Sequence, residues 1–144
     1  MTIGLDAFSV APMSLHFNVT SEAESVAEVR RAIEQFCADV GFDAKAAGEV
    51  GLVVNEAVAN IIRHAYRGAA GKPIVVDADF ADSTVRIRLR DWGSGEDPSL
   101  RPEKTDPLTP GGLGLVCMRR LMDELKFEPQ KDGMLLVMSK KKAS

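Results

Sequence analysis

The sequence predicts an α+β domain: a two-layer sandwich with a mixed, mostly antiparallel sheet and its helices on one face. Three observations predict it. Segments alternating apolar and polar residues come in adjacent pairs joined by short turns, which is antiparallel geometry. Two segments with apolar residues three and four apart separate the first strand from the second. A chain of 144 residues, 45% hydrophobic and 27% charged, fits one domain with one core.

The elements follow in order. Leu15, Phe17 and Val19 alternate with polar neighbours and predict a strand near 14–19. Thr20 and Ser21 open a helix, and Ser21 with Glu24 has capping-box spacing. Val26, Val29, Ile33, Phe36 and Val40 carry its apolar stripe, and Gly41 stops it. Asp43 caps the next helix, which runs to about Tyr66. Strands follow near 73–80, with Ile74, Val76, Ala78 and Phe80 on one face, and near 84–90, with Val85, Ile87 and Leu89 opposing Arg86, Arg88 and Arg90. Gly95 to Pro110 is rich in proline and charge and reads as a loop. A helix at about 113–124 precedes strands near 126–129 and 134–139, turned by Lys131-Asp132-Gly133. Residues 1–13 read as an N-terminal extension of the single domain.

Composition removes several function classes. The formal charge of −3 and pI of about 5.4 lack the basic balance of a general nucleic-acid binder. Cys37 and Cys117 form no CxxC pair, against a disulfide scaffold, a zinc site or a thioredoxin-type motif. Each lies in a helical apolar pattern and reads as a small buried hydrophobe. The N-terminus lacks a basic region and meets Asp6 early, unlike a signal peptide. No apolar run approaches the roughly 18 residues of a membrane span. A soluble, cytoplasmic protein is expected.

Three segments carry chemistry. On the second helix, Ala47, Val50, Val54, Ala57, Ile61 and Ala65 form an apolar stripe, while Glu49, Glu56, Asn60, Arg63 and Arg67 share another face. Such a face is ordinarily just solvated. Here, however, Asn60 is a weak helix former in mid-helix and Gly51 costs about 1 kcal/mol relative to Ala. A carboxylate and an amide one turn apart offer a base and a hard oxygen ligand for Mg²⁺. Next, Asp91-Trp92-Gly93-Ser94-Gly95 follows a strand end, where an acid can accept a hydrogen bond and glycines let backbone approach a ligand closely. A strand-terminating turn capped by Asp would look the same. Finally, Gly111-Gly112-Leu113-Gly114-Leu115 leads into a helix whose free N–H groups and macrodipole suit an anion.

In this order and spacing, Glu56-x3-Asn60, Asp91-x-Gly93-x-Gly95 and Gly112-x-Gly114 resemble the N, G1 and G2 boxes of the histidine-kinase-like, or Bergerat-fold, ATPases. Asn55 through Tyr66, and Gly112 through Asp123, look most like the small anti-sigma-factor serine/threonine kinases. The resemblance covers about residues 14–140. It implies that Asp91 binds the adenine amino group and that Gly93 and Gly95 let the loop pass close to the base. Asn60 would ligate Mg²⁺ and Glu56 would be the general base. Gly112, Leu113, Gly114 and Leu115 would hold phosphates, with residues 96–110 as the ATP lid. Family members often place a Thr after the glycine of the last strand, whereas Met134 follows Gly133 here. That removes a hydroxyl from beside the adenine.

The same resemblance implies an ATP- and Mg²⁺-dependent protein serine kinase that sequesters a sigma factor. Its substrate would be a serine on a STAS-type anti-anti-sigma partner, and it would form a homodimer without direct nucleic-acid or membrane binding. Two alternatives belong to other classes: a nucleotide-binding module that holds a partner without catalysis, and the detached catalytic half of a sensor histidine kinase. The P-loop, the dinucleotide GxGxxG and the HRD and DFG kinase motifs are all missing. His16 reads as a surface or core residue, and His64 as packing near the site rather than a phospho-acceptor.

Overall fold

The computed structural model describes residues 14–98 and 114–143. The elements are β1 (Ser14–Thr20), α1 (Ala23–Asp39), α2 (Ala44–Asn60), β2 (Pro73–Ala81), β3 (Thr84–Asp91), α3 (Leu115–Leu121), β4 (Glu124–Gln130) and β5 (Gly133–Lys141). They form the predicted α+β architecture, one five-stranded sheet in the order β1-β2-β3-β5-β4. Every pairing among the described strands is antiparallel, so the mixed character allowed for the sheet narrows to one sense. No helix of the described residues is long and apolar enough to cross a membrane.

The inner sheet face is the predicted one. Ile74, Val76, Val85, Ile87, Leu89 and Met138 are fully buried and join Val29, Ile33, Val50 and Val54 of the helices in one core. Phe80 is only partly buried and meets Phe42 edge to face, with ring centroids 6.1 Å apart. On the opposite face Arg88 pairs with Asp79 and Arg90 with Asp132, each at 2.9 Å. His16 hydrogen-bonds Asp77 there, at an exposed edge.

Helix starts divide by context. Asp43 caps α2 as predicted, its Oδ1 accepting from Ala46 N at 2.8 Å. Ser21 makes no capping box with Glu24. Glu22 stands at the N-cap of α1, without a side-chain cap. Ser21 is buried, donating to the Ala69 carbonyl at 2.6 Å and accepting from Lys72 N at 2.9 Å. Two backbone partners from a distant loop outcompete a local cap.

Helix ends also shift. The α-helix predicted to reach Tyr66 stops at Asn60 and continues as a π turn over Ile61–Ala65. The helix predicted at 113–124 ends at Leu121, because β4 already begins at Glu124. Cys37 is buried, and burial, then the Glu34 charge, pushes its thiol up to about 12. Cys117 is exposed, contrary to the expected burial, because α3 turns Met118 inward instead. Gly51 proves to be a spacer: a Cβ there would lie 2.0 Å from the Glu34 carboxylate of α1.

Candidate functional site

The end of α2, the π turn, the loop after β3, α3, and strands β4 and β5 enclose a solvent-open cleft of about 490 Å³. Its walls are largely apolar: Ile61, Met118, Phe127, Met134 and Leu136 contribute, with Asn60, His64, Asp91, Ser94 and Glu96 as the polar groups. Few convergent polar groups in an apolar cleft describe a small-molecule site.

Asp91 is the most deeply buried acid of this site, at 3% exposure. The β3 strand delivers it, and the chain turns away immediately after it. One carboxylate oxygen accepts from Gly93 N at 2.9 Å. Burial pushes its carboxyl up, and hydrogen bonds from the Gly93 and Met134 backbone and the Arg90 charge only partly offset this. Gly133 makes the neighbouring strand possible. It has φ +120°, and a Cβ there would lie 2.1 Å from the Asp91 carbonyl oxygen. The register then sets Met134 opposite Asp91, so the thioether, 4% exposed, takes the wall position beside the acid.

The loop after Asp91 is bolted to the π turn. Ser94 N donates to the Ala65 carbonyl at 3.0 Å, and a Cβ on Gly93 would come within 2.4 Å of that same oxygen. The glycine is therefore required by the backbone of α2's extension, while Gly95, at φ +76°, lines the cleft. Tyr66 completes the joint. Its hydroxyl accepts from Trp92 N at 2.8 Å and donates to the Pro73 carbonyl at 2.6 Å.

Glu56 and Asn60 stand one turn apart, as their spacing predicts, and the structure couples them. Arg63 Nη2 donates to Asn60 Oδ1 at 2.7 Å and to Glu56 Oε2 at 3.3 Å. Glu56 is 7% exposed, and the guanidinium supplies the counter-charge a buried carboxylate requires. Two residues assigned to the same face leave it. Glu49 pairs with Lys140 of β5 at 3.5 Å, and Arg67 lies past the helix end at φ +52°. His64 lines the cleft, as expected for packing near the site.

Gly114 is the N-cap of α3, with no side-chain cap, and Leu115 opens the helix; Met118, one turn on, reaches the cleft. Gly112, Leu113 and residues 99–110 of the expected lid lie outside the described residues. Sequence reasoning missed the lining roles of Phe127, Met118 and Ser94 and the joint made by Tyr66. Phe127 alternates on its strand, and Ser94, Met118 and Tyr66 lie inside the three chemistry-bearing segments, but nothing local says that their side chains meet at the cleft and its joint.

The family profile described as "Histidine kinase-like ATPase domain" matches residues 19–140. A Listeria innocua protein named "Serine-protein kinase RsbW" is 26% identical over 140 residues, covering 88% of each chain. A Bacillus cereus protein named "Anti-sigma F factor" is 33% identical over 119 residues, covering 79% of this chain and 80% of that one. Among solved structures, the RsbU and RsbW domains of a Mycobacterium tuberculosis protein superpose with a TM-score of 0.69 at 21% identity. That match covers 91% of this chain and 33% of that one, so this chain spans a third of its length, and the likeness is one of fold. With the profile spanning nearly the whole described fold, the chain belongs to the histidine kinase-like ATPase domain family, among its anti-sigma-factor serine kinases.

Proposed function

We propose that this protein is an ATP- and Mg²⁺-dependent protein serine kinase that also sequesters a sigma factor and phosphorylates a serine of a STAS-type anti-anti-sigma partner. The observation that carries the reading is the buried Glu56 carboxylate, one turn from Asn60 at the cleft. A site that only held nucleotide would have no use for a base there.

The residues fit the nucleotide. An apolar slot with one buried acceptor, Asp91, suits a flat base presenting an amino N–H. They also fit Mg²⁺. Among the described residues no three His, Cys, Asp or Glu side chains cluster. A hard cation there would take the Asn60 amide oxygen in place of the usual carboxylate and draw its other ligands from phosphate oxygens and water. When bound, Mg²⁺ offsets the charge that builds on the transferring phosphoryl group.

Each residue then has a task. Asp91 accepts from the adenine amino group and sets the depth of the base, while Gly93 and Gly95 let the loop lie close to it. Asn60 orients the metal-bearing end. Glu56 takes the proton of the attacking serine hydroxyl at its carboxylate oxygen. Backbone N–H groups of Gly112, Leu113, Gly114 and Leu115 bind phosphate oxygens, with residues 96–110 as the lid. A cytoplasmic homodimer that exchanges sigma factor for the STAS partner according to nucleotide state completes the reading. The alternative is a nucleotide-binding module that holds its partner without catalysis; Met134, opposite Asp91 where family members often carry a hydroxyl, bears on the tightness of nucleotide binding in either reading.

Single-turnover transfer of labelled phosphate to a co-purified STAS partner, run beside direct ATP binding, separates the two. Glu56→Gln keeps the shape and should leave ATP affinity within a few-fold while transfer falls about 10²–10⁴-fold. Asn60→Ala should harm binding and transfer together. Parent-like transfer by Glu56→Gln removes the base assignment, and a parent that binds ATP but phosphorylates nothing hands the lead to the binding module.

A further inference from the structure

Arg63 lies where a metal ion is expected. Its Nη2 contacts Asn60 Oδ1 at 2.7 Å and Glu56 Oε2 at 3.3 Å. Under the function proposed above, on which this inference rests, the first oxygen ligates Mg²⁺ and the second belongs to the base. The π turn begins directly after Asn60 and carries Arg63, whose side chain folds back over the two preceding turns. We propose that Arg63 is a surrogate cation: it occupies the metal position at Asn60 and Glu56 and must withdraw from Asn60 before a metal–nucleotide complex can seat.

The exclusion is electrostatic and geometric. The guanidinium hydrogen bond takes up one of the two acceptor sites of Asn60 Oδ1, the oxygen a cation would use. A divalent ion on the same oxygen would sit a few ångströms from a permanent positive charge. Arginine cannot relieve this by losing a proton, so it has to move. The two partners differ in their freedom to do so. The Arg63 side chain is 42% exposed, whereas that of Glu56 is 9% exposed. The arginine is therefore the solvent-facing member of the pair, and Glu56 the enclosed one. Once displaced, the guanidinium remains within side-chain reach of Glu56 and of any polyphosphate at the cleft mouth.

Two opposing effects on nucleotide binding follow. Without a metal, Arg63 lends positive charge to the phosphate end, so nucleotide binds better than Asn60 alone would allow. With a metal, Arg63 is a competitor that raises the Mg²⁺ concentration required. A side chain that merely braced the helix would produce neither, and one that only held phosphate would produce the first alone.

The test is ADP affinity by calorimetry, in EDTA and across a Mg²⁺ series, on the intact chain, with the Trp92 fluorescence as a check on folding. For Arg63→Met, the Mg²⁺ concentration giving half of the affinity gain should fall about tenfold, the size of one charge-assisted hydrogen bond. Its affinity in EDTA should weaken several-fold. Arg63→Lys should retain the affinity in EDTA and sit between the two in Mg²⁺ requirement, which keeps the test open if Arg63→Met folds poorly. Equal loss in both media, or an unchanged Mg²⁺ midpoint, overturns the proposal. Asn60→Ala separates the two levels. If it abolishes the Mg²⁺ dependence while Arg63→Met leaves the midpoint unmoved, only the surrogate-cation role fails. If it leaves the Mg²⁺ dependence intact, the metal-ligand assignment falls and the proposal with it.

Discussion

Asp91 combines two properties that pull against each other. It is buried in an apolar cleft, which raises its proton affinity, and its proposed task needs the ionised, accepting form. Asp91→Asn should weaken ATP binding by about 1.5–3 kcal/mol, the size of a charge-assisted hydrogen bond, in titration calorimetry. Unchanged affinity would remove Asp91 from the adenine site. Acidification should weaken binding as well, beginning above the pH at which an ordinary carboxylate protonates, and Asp91→Asn should flatten that profile. The sign for stability is opposite to that of most acids. With the folded value raised, the native state holds the proton more tightly than the unfolded chain. Asp91's contribution is therefore fully present below the ordinary carboxylate range and is lost as pH rises through the raised value. At this scale Asp91 and Asn60 were legible from residue type and spacing. Arg63's grip on Glu56 and Asn60 was not, because a shared helix face does not say which side chains close on one another.

The π turn is the element on which the site depends. It extends α2 by five residues, Ile61–Ala65, and presents the Ala65 carbonyl to the loop that follows Asp91. Such turns concentrate at functional sites because they place backbone and side chains where a regular helix would not. Gly93→Ala would drive a methyl into that carbonyl, so either the loop or the turn must shift. Denaturation followed by the fluorescence of Trp92, the single tryptophan, should show a loss of about 1–3 kcal/mol, accompanied by weaker nucleotide binding. Parent-like stability would mean that the loop relaxes without cost. Tyr66→Phe tests the same joint from the other side. It strands the Trp92 N–H and the Pro73 carbonyl, and should cost about 1–3 kcal/mol in the same measurement. The strands were readable because period-two alternation is a local signal. The end of α2 was not, since residues 61–65 keep a helical pattern and only their hydrogen bonds differ.

For the whole molecule, nucleotide binding and folding are linked. The cleft draws on the far end of α2, the loop after β3, α3 and the β4–β5 pair, so a ligand there bridges most of the fold. ADP at about a hundred times its Kd should add about 2.7 kcal/mol to stability. In a domain of this size that raises Tm by roughly 5–10 °C in a thermal scan. Asp91→Asn at the same concentration should shift it much less. A ligand-independent Tm in the parent would count against a nucleotide site in this cleft.

By itself the sequence determined the class of fold, the sheet's inner face, and the identity and spacing of Glu56, Asn60, Asp91 and Gly95. Those depend on alternation, helical period and the chemistry of each residue type, all of which are local. Only the tertiary structure decided that Ser21 abandons a cap for the Ala69–Lys72 loop, that Gly93 answers to Ala65, and that Met134 stands opposite Asp91. Each of these is settled by a partner distant in the chain. For Ser21, two backbone hydrogen bonds outweigh the one a local cap would supply; for Gly93 and Met134, the close approach of Ala65 and the register with β3 decide, and neither is encoded in the residues beside them.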